Sequence, residues 1–152
     1  MISDNAVASE EVLINAPVEL VWQILVDFEN YGKWNEFCPQ ITAELKLGSP
    51  VDMMTDLGNG LQQQVEYITQ IEPNHIIAWS MKNEPGDPVH ACRTQRLTKV
   101  SDSSCIYYTI DEFSGEFMPA MLENFGVHIE TGFNRCAQGL KRYAEQRFTS
   151  DA

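Results

Sequence analysis

The sequence predicts an α+β fold, and three observations carry that reading. Helical periodicity occupies two segments, residues 16–28 and 119–147, on either side of a long region of strand-like alternation. Turn signals inside residues 40–115 fall too close together to leave room for crossover helices, so the strands there pair antiparallel. A chain of 152 residues, 43% hydrophobic, suits one domain with a substantial core, taken as residues 1–152.

The elements follow in order. "AVASEEVLI" (6–14) reads as a strand. "APVELVWQILVDF" opens a helix with Pro17 in the first turn, where its missing N–H is harmless, and Glu19 near the positive end of the dipole. Val21, Leu25 and Phe28 keep helical spacing, flanked by Trp22 and Ile24. "ENYGKWNEF" breaks at Gly32 and resumes as a second short helix ending before Pro39. Its aromatics, Tyr31, Trp34 and Phe37, either close the end of the core or line an opening.

Six strand-like runs come next: "QITAELKL", "PVDMMTDL", "LQQQVEYITQIEP", "HIIAWSMKN", "VHACRTQRLTKV" and "SCIYYTIDEFSG". Gly48-Ser49-Pro50, Gly58-Asn59-Gly60, Glu72-Pro73-Asn74, Glu84 to Pro88 and Ser101 to Ser104 punctuate them. From Pro119 to about Arg147 a helical stripe returns through Leu122, Phe125, Ile129, Phe133, Cys136, Leu140 and Tyr143. Gly126, Gly132 and Gly139 each lower helix propensity by about 1 kcal/mol, so they serve either a close approach to the sheet or a bend.

Charge and motif content exclude more than they name. Asp and Glu outnumber Lys and Arg by 22 to 10, a net charge of -12, which repels nucleic acid and anionic membrane surfaces. No apolar run reaches bilayer length and the N-terminus carries no basic, then apolar leader, so a cytoplasmic protein without stable membrane association is expected. Cys38, Cys92, Cys105 and Cys136 are scattered, and His75, His90 and His128 share no ligand spacing; neither metal nor cofactor is expected, and the thiols are read as reduced and mostly buried. No nucleophile elbow, phosphate loop or paired-histidine signature assigns a catalytic residue.

Ala16-Pro17-Val18-Glu19-x-Val21-Trp22, then Asp27-Phe28-x-x-Tyr31-x-x-Trp34-Asn35-x-Phe37-x-Pro39, with "IEPNHIIAW", "DEFSG" and "GFNRCAQGLKRYAE", resemble the START-like, polyketide cyclase/dehydrase superfamily, which has the birch pollen allergen-like helix-grip fold. The resemblance implies a seven-stranded antiparallel sheet wrapped around the long C-terminal helix. Two short helices follow the first strand, and an internal cavity lies between sheet and helix. It also implies that Phe28, Tyr31, Trp34 and Phe37 sit where helix, loop and sheet meet, with the short helices forming one mouth of the cavity. The superfamily shares no common catalytic set, so it names no catalytic residue.

Strand alternation nominates the wall of such a cavity. Ile77, Trp79 and Met81 share one face, taken as interior. Arg93 and Gln95 share a face with Ala91 and Leu97. On the last strand, Tyr107, Thr109, Asp111 and Phe113 occupy one face and Ile106, Tyr108, Ile110 and Glu112 the other. The E-x-F-x-G pattern of cyclase-like relatives favours the Asp111 face, whereas a four-residue hairpin loop at 101–104 would set Arg93 opposite Glu112. An inward Arg93 is expected to ion-pair with Asp111 or Glu112, since a buried guanidinium needs a counter-charge. Leu122, Phe125 and Ile129 on the long helix, with Tyr31, Trp34 and Phe37, complete the candidate ligand contacts.

The functional expectation is binding or transport of a small hydrophobic ligand, such as a polyketide, lipid or isoprenoid, by a monomer or homodimer. A cyclase or dehydratase using the same cavity is the alternative, and a protein-partner module without ligand is a second. Trp34 and Tyr31, following a helix break, are expected to guard the mouth.

Overall fold

A computed structural model describes residues 1–150. Eight strand segments form a single antiparallel sheet: β1 (Ala6–Ala8), β2 (Val12–Ile14), β3 (Gln40–Thr42), β4 (Pro50–Asp56), β5 (Leu61–Glu72), β6 (Ile76–Ser80), β7 (His90–Ser101) and β8 (Ser104–Ser114). Their spatial order is β1-β8-β7-β6-β5-β4-β3, with β2 also on β8. Each of the successive strands from β3 to β8 pairs with the next, as short turns require.

The stretch 6–14 is one strand lane broken in two. Val7 faces Asp111 and Val12 faces Tyr107, so the register slips by one residue between β1 and β2. Ser9 bridges the slip: its N–H donates to the Thr109 carbonyl, and its hydroxyl accepts from the Thr109 N–H. The seven lanes expected from sequence are therefore eight segments.

Helix α1 (Val18–Leu25) buries Val18, Val21, Trp22, Ile24 and Leu25, with Glu19 in its first turn. The expected second helix differs in place and kind. A 3₁₀ helix runs over Phe28–Lys33, before and across Gly32, and residues 34–39 form an irregular loop. Asn35 explains the loop: its side-chain oxygen accepts the Cys38 N–H at 2.9 Å, offering the backbone a partner that a helix would otherwise supply.

Helix α2 (Met118–Ser150) lies across the inner face of the sheet and packs on β1, β2, β8 and α1. Ile129, Phe133, Cys136, Ala137, Leu140 and Ala144 are buried, whereas Leu122 and Phe125 near its start and Tyr143 near its end are only partly covered. Its C-terminal half thus closes the core, while its N-terminal half stands over a space. Gly132 and Gly139 serve a close approach, but of the 34–39 loop and not of the sheet. A Cβ at Gly132 would overlap the Phe37 ring, and one at Gly139 would overlap the Trp34 carbonyl oxygen. Gly126 has ordinary room beside Ile2.

Candidate functional site

Directly opposed residues of antiparallel strands project from the same face, so the register fixes what faces α2. The β7–β8 hairpin turns through Asp102 and Ser103, with an irregularity between Lys99 and Ser101, and this sets Arg93 opposite Asp111. The Glu112 alternative is excluded: Glu112 is exposed and opposes Cys92. One row across the sheet reads Ile68, Trp79, Arg93, Asp111, Val7, and the next reads Ile77, Gln95, Thr109. On β4 and β5 the inward pairs are Val51 with Glu66, Met53 with Gln64 and Thr55 with Gln62.

Between this face and the first half of α2 lies a pocket of about 340 Å³, at the small end of ligand sites. Its apolar wall comes from Phe37, Met53, Trp79, Phe113, Phe125, Ile129 and Phe133, and its polar side from Thr55, Gln64, Glu66, Arg93 and Asp111. The part-exposed lining residues Leu57, Gln62, Met81, Val89, Met121 and Phe125 mark the mouth. The mouth therefore opens between the β4–β5 turn, the segment before β7 and the start of α2. Gly58 in that turn meets the His128 imidazole on α2, closing one side, and its φ of +100° leaves no place for a side chain.

Arg93 is buried, yet among the described residues no carboxylate comes within ion-pairing distance of it. The expected ion pair with Asp111 or Glu112 is absent. The guanidinium is drawn toward α2 instead: Nε donates to Thr109 Oγ1 at 3.0 Å and Nη2 to Cys136 Sγ at 3.9 Å. Its Cζ lies 4.4 Å from the Phe133 ring centroid, 5.5 Å from Phe37 and 5.9 Å from Trp79. Ring quadrupoles stabilise the cation in part and hold it in place, without neutralising it.

Two carboxyls share the pocket, Glu66 buried and Asp111 half-buried. Burial pushes Glu66 up to about 8, the Asp111 charge adds to that, and Arg93 opposes it. Burial likewise lifts Asp111 to about 7, with Arg93 opposing and Glu112 reinforcing. Four buried polar atoms on the pocket lining have no partner among the described residues: Thr55 Oγ1, Glu66 Oε1, Trp79 Nε1 and Asp111 Oδ1. Cys38, close enough to feel Arg93, is pushed up to about 12 by burial and is no nucleophile at neutral pH. Among the described residues no cluster of His, Cys, Asp or Glu could hold a metal.

Of the residues nominated from sequence, Phe37, Trp79, Met81, Arg93, Asp111, Phe125 and Ile129 lie on the pocket wall. Gln95 and Tyr107 do not; they are buried behind Arg93, where the Tyr107 hydroxyl donates to Gln95 Oε1 at 2.6 Å. Trp34 and Tyr31 are also buried and lie off the wall of this pocket, Trp34 bordering a separate cleft with Gly32, Asn35 and Arg142. Tyr31 donates its hydroxyl to the Leu25 carbonyl and stacks edge-on against Trp34, ring centroids 4.8 Å apart. Leu122 is partly covered but off the wall, and Glu112 faces outward.

Sequence reasoning passed over Glu66. Its signal is the alternation Gln62, Gln64, Glu66, Ile68, but hydropathy on β5 is inverted, with polar residues inward and Leu61 and Val65 exposed. Hydropathy misleads wherever a strand borders a polar pocket and not packed core.

An open antiparallel sheet folded over one long C-terminal helix, with a side pocket between them, is the helix-grip architecture of START-like proteins. Solved structures agree on the fold. The Zhui aromatase/cyclase from a Streptomyces species superposes with a TM-score of 0.74 at 17% identity, covering 93% of this chain and 94% of that one. A protein from Nitrosomonas europaea gives 0.72 at 15% identity over 97% and 98%. A START superfamily protein from Mycobacterium smegmatis gives 0.66 at 15% identity over 94% and 99%. No curated protein sequence matches the chain. The family described as Activator of Hsp90 ATPase homolog 1-like protein matches residues 15–145, and the chain belongs to that family.

Proposed function

We propose that this protein binds a small, largely apolar ligand whose polar head lies against Arg93. One observation carries the reading. A buried guanidinium without ion pair shares a pocket with four unpartnered buried polar atoms, all inside apolar walls. Buried polar groups without partners are costly, so their grouping around a single space supports a ligand that meets them. The apolar lining supplies affinity and the polar side supplies orientation. A polyketide, isoprenoid or acyl chain of modest length fits this description, and the fold's kinship with START and aromatase/cyclase proteins is in keeping with it.

The test is native mass spectrometry of the purified protein, followed by competition between extracted small molecules and an apolar fluorescent dye that quenches Trp79. Retained ligand, and dye displaced from the wild type but not from an Ile129→Trp variant with a filled pocket, are expected. Dye affinity unchanged by filling the pocket would overturn the reading.

A second reading, an enzyme of the cyclase or dehydratase type, draws on Glu66 and Asp111. A base must be ionised and an acid protonated at working pH, and two carboxyls near neutrality meet that condition. Conversion of a bound carbonyl compound, lost in Glu66→Gln and Asp111→Asn, would favour it over a carrier. No helix of the described residues is long and apolar enough to cross a membrane.

A further inference from the structure

Glu66, Asp111 and Arg93 face one another from β5, β8 and β7 across a single pocket, yet among the described residues no carboxylate reaches ion-pairing distance of the guanidinium. Glu66 is buried and Asp111 half-buried, and each keeps one buried oxygen without a protein partner among the described residues. Had these groups evolved as a structural ion pair, the guanidinium would turn to Asp111, which opposes it in register. Instead Thr109, Cys136 and three aromatic rings hold it away.

We propose that the polar end of the pocket takes a carboxylate-bearing apolar ligand together with protons, Arg93 receiving the carboxylate while Glu66 and Asp111 stand beside it as neutral acids. The inference rests on the ligand-binding reading above and names the head group of that ligand.

Charge decides which head group the pocket accepts. With both acids protonated, the pocket holds one uncompensated positive charge, and an anion balances it. With both ionised, the pocket is net negative and repels the same anion. Glu66 is lifted to about 8 and Asp111 to about 7, in each case mainly by burial, so the change falls near neutral pH. A bound carboxylate adds negative charge beside both acids and holds their protons more tightly. By linkage, binding then takes up protons wherever either acid is partly ionised. A protonated Glu66 also becomes a donor for the ligand oxygen, as does the unpartnered Trp79 N–H.

The other titratable groups around the site do not supply this response. Tyr31 from the 3₁₀ helix and Tyr107 from β8 are raised well above the ordinary tyrosine range by burial. Cys38 from the loop and Cys92 from β7 are raised by burial as well. Cys136 on α2 meets Arg93 through sulfur, and Glu112 lies on the outer face of β8. His128 on α2 sits against Gly58 and is not part of the pocket wall.

Calorimetric titration with decanoic acid, decan-1-ol and decylamine, in buffers of different ionisation enthalpy, tests the proposal. Decanoate is ionised across the range used, so any pH dependence belongs to the protein. Decanoate is expected to bind more tightly than decanol near pH 6, with net proton uptake from about pH 7 upward, and to weaken by about tenfold per pH unit between the titrations of Asp111 and Glu66 and by up to about a hundredfold per unit above both. Decanol should change little. Glu66→Gln with Asp111→Asn should remove the proton uptake and keep decanoate bound at high pH, a gain that a merely damaged fold cannot produce. Arg93→Met should erase the preference for decanoate over decanol.

Decanoate bound no better than decanol at low pH, binding without proton uptake, or tighter decylamine binding with proton release would each overturn the proposal and leave the ligand-binding reading standing. Binding of none of the three probes would overturn both.

Discussion

Arg93 shows how much a single side chain can decide. A buried cation next to two carboxyls would ordinarily pair with one, and breaking such a pair would cost several kcal/mol. Here the pair is not made, so Arg93→Met replaces a solvation problem with an apolar chain of similar length between Phe133 and Trp79. The thermal midpoint should hold or rise, while affinity for carboxylated ligands drops at least about tenfold relative to neutral ones. Thermal melts beside binding isotherms check this, and a large fall in stability would show Arg93 to be structural. Trp34 gives the contrasting case. It is buried against Tyr31 and its carbonyl sits on Gly139, off the pocket wall. Trp34→Ala should therefore destabilise by about 3–5 kcal/mol and leave affinity per folded molecule unchanged. An affinity loss without a stability loss would return Trp34 to the mouth.

At the scale of elements, α2 has two halves with different tasks. Leu140 is fully buried in the core, so Leu140→Ala should cost about 2–5 kcal/mol through lost transfer energy and a residual cavity. Leu122→Ala, on the partly covered half, should cost much less, and denaturant unfolding of the two variants reads the difference. Gly139→Ala tests the close approach by its sign. Helix propensity alone favours alanine by about 1 kcal/mol. The new Cβ would meet the Trp34 backbone oxygen, which cannot rotate away, so net destabilisation is expected. A stabilised Gly139→Ala protein would mean that the loop shifts freely.

The sequence made these elements legible in unequal measure. The antiparallel character of the sheet could be read because alternation and turn signals are local, and the stripe from Ile129 to Leu140 is core in the structure as its spacing implies. What stayed hidden depends on distant neighbours. Tyr31, Trp34 and Phe37 are similar aromatics in one connecting segment, yet Phe37, seated on Gly132, borders the pocket while Trp34, its carbonyl on Gly139, does not. The facing of Arg93 against Asp111 turned on a one-residue irregularity between Lys99 and Ser101, beside the hairpin turn. Glu66 was obscured by polarity itself, because a strand with Gln and Glu inward looks like one whose other face is buried.

At the scale of the whole molecule, the pocket leaves a signature in the pH dependence of folding. The net charge of -12 already disfavours the compact state as carboxyls ionise. Glu66 and Asp111 add a specific contribution whose sign follows from their raised values. Unfolded, they lose protons near ordinary carboxylate values of about 4. Folded, they retain them to about 8 and about 7. Between those limits the native state binds more protons, so stability falls as pH rises through the window and stops changing from this source above about 8. Glu66→Gln removes the Glu66 share. Its stability relative to wild type should be near constant below about pH 4, then grow in its favour up to about pH 8, by a difference on the order of a few kcal/mol. Urea unfolding of both proteins across that range measures the difference directly, with the general charge repulsion largely common to both. A flat difference would mean that Glu66 titrates as an ordinary surface carboxylate, and a difference growing in favour of wild type would mean that it is ionised and paired in the folded protein.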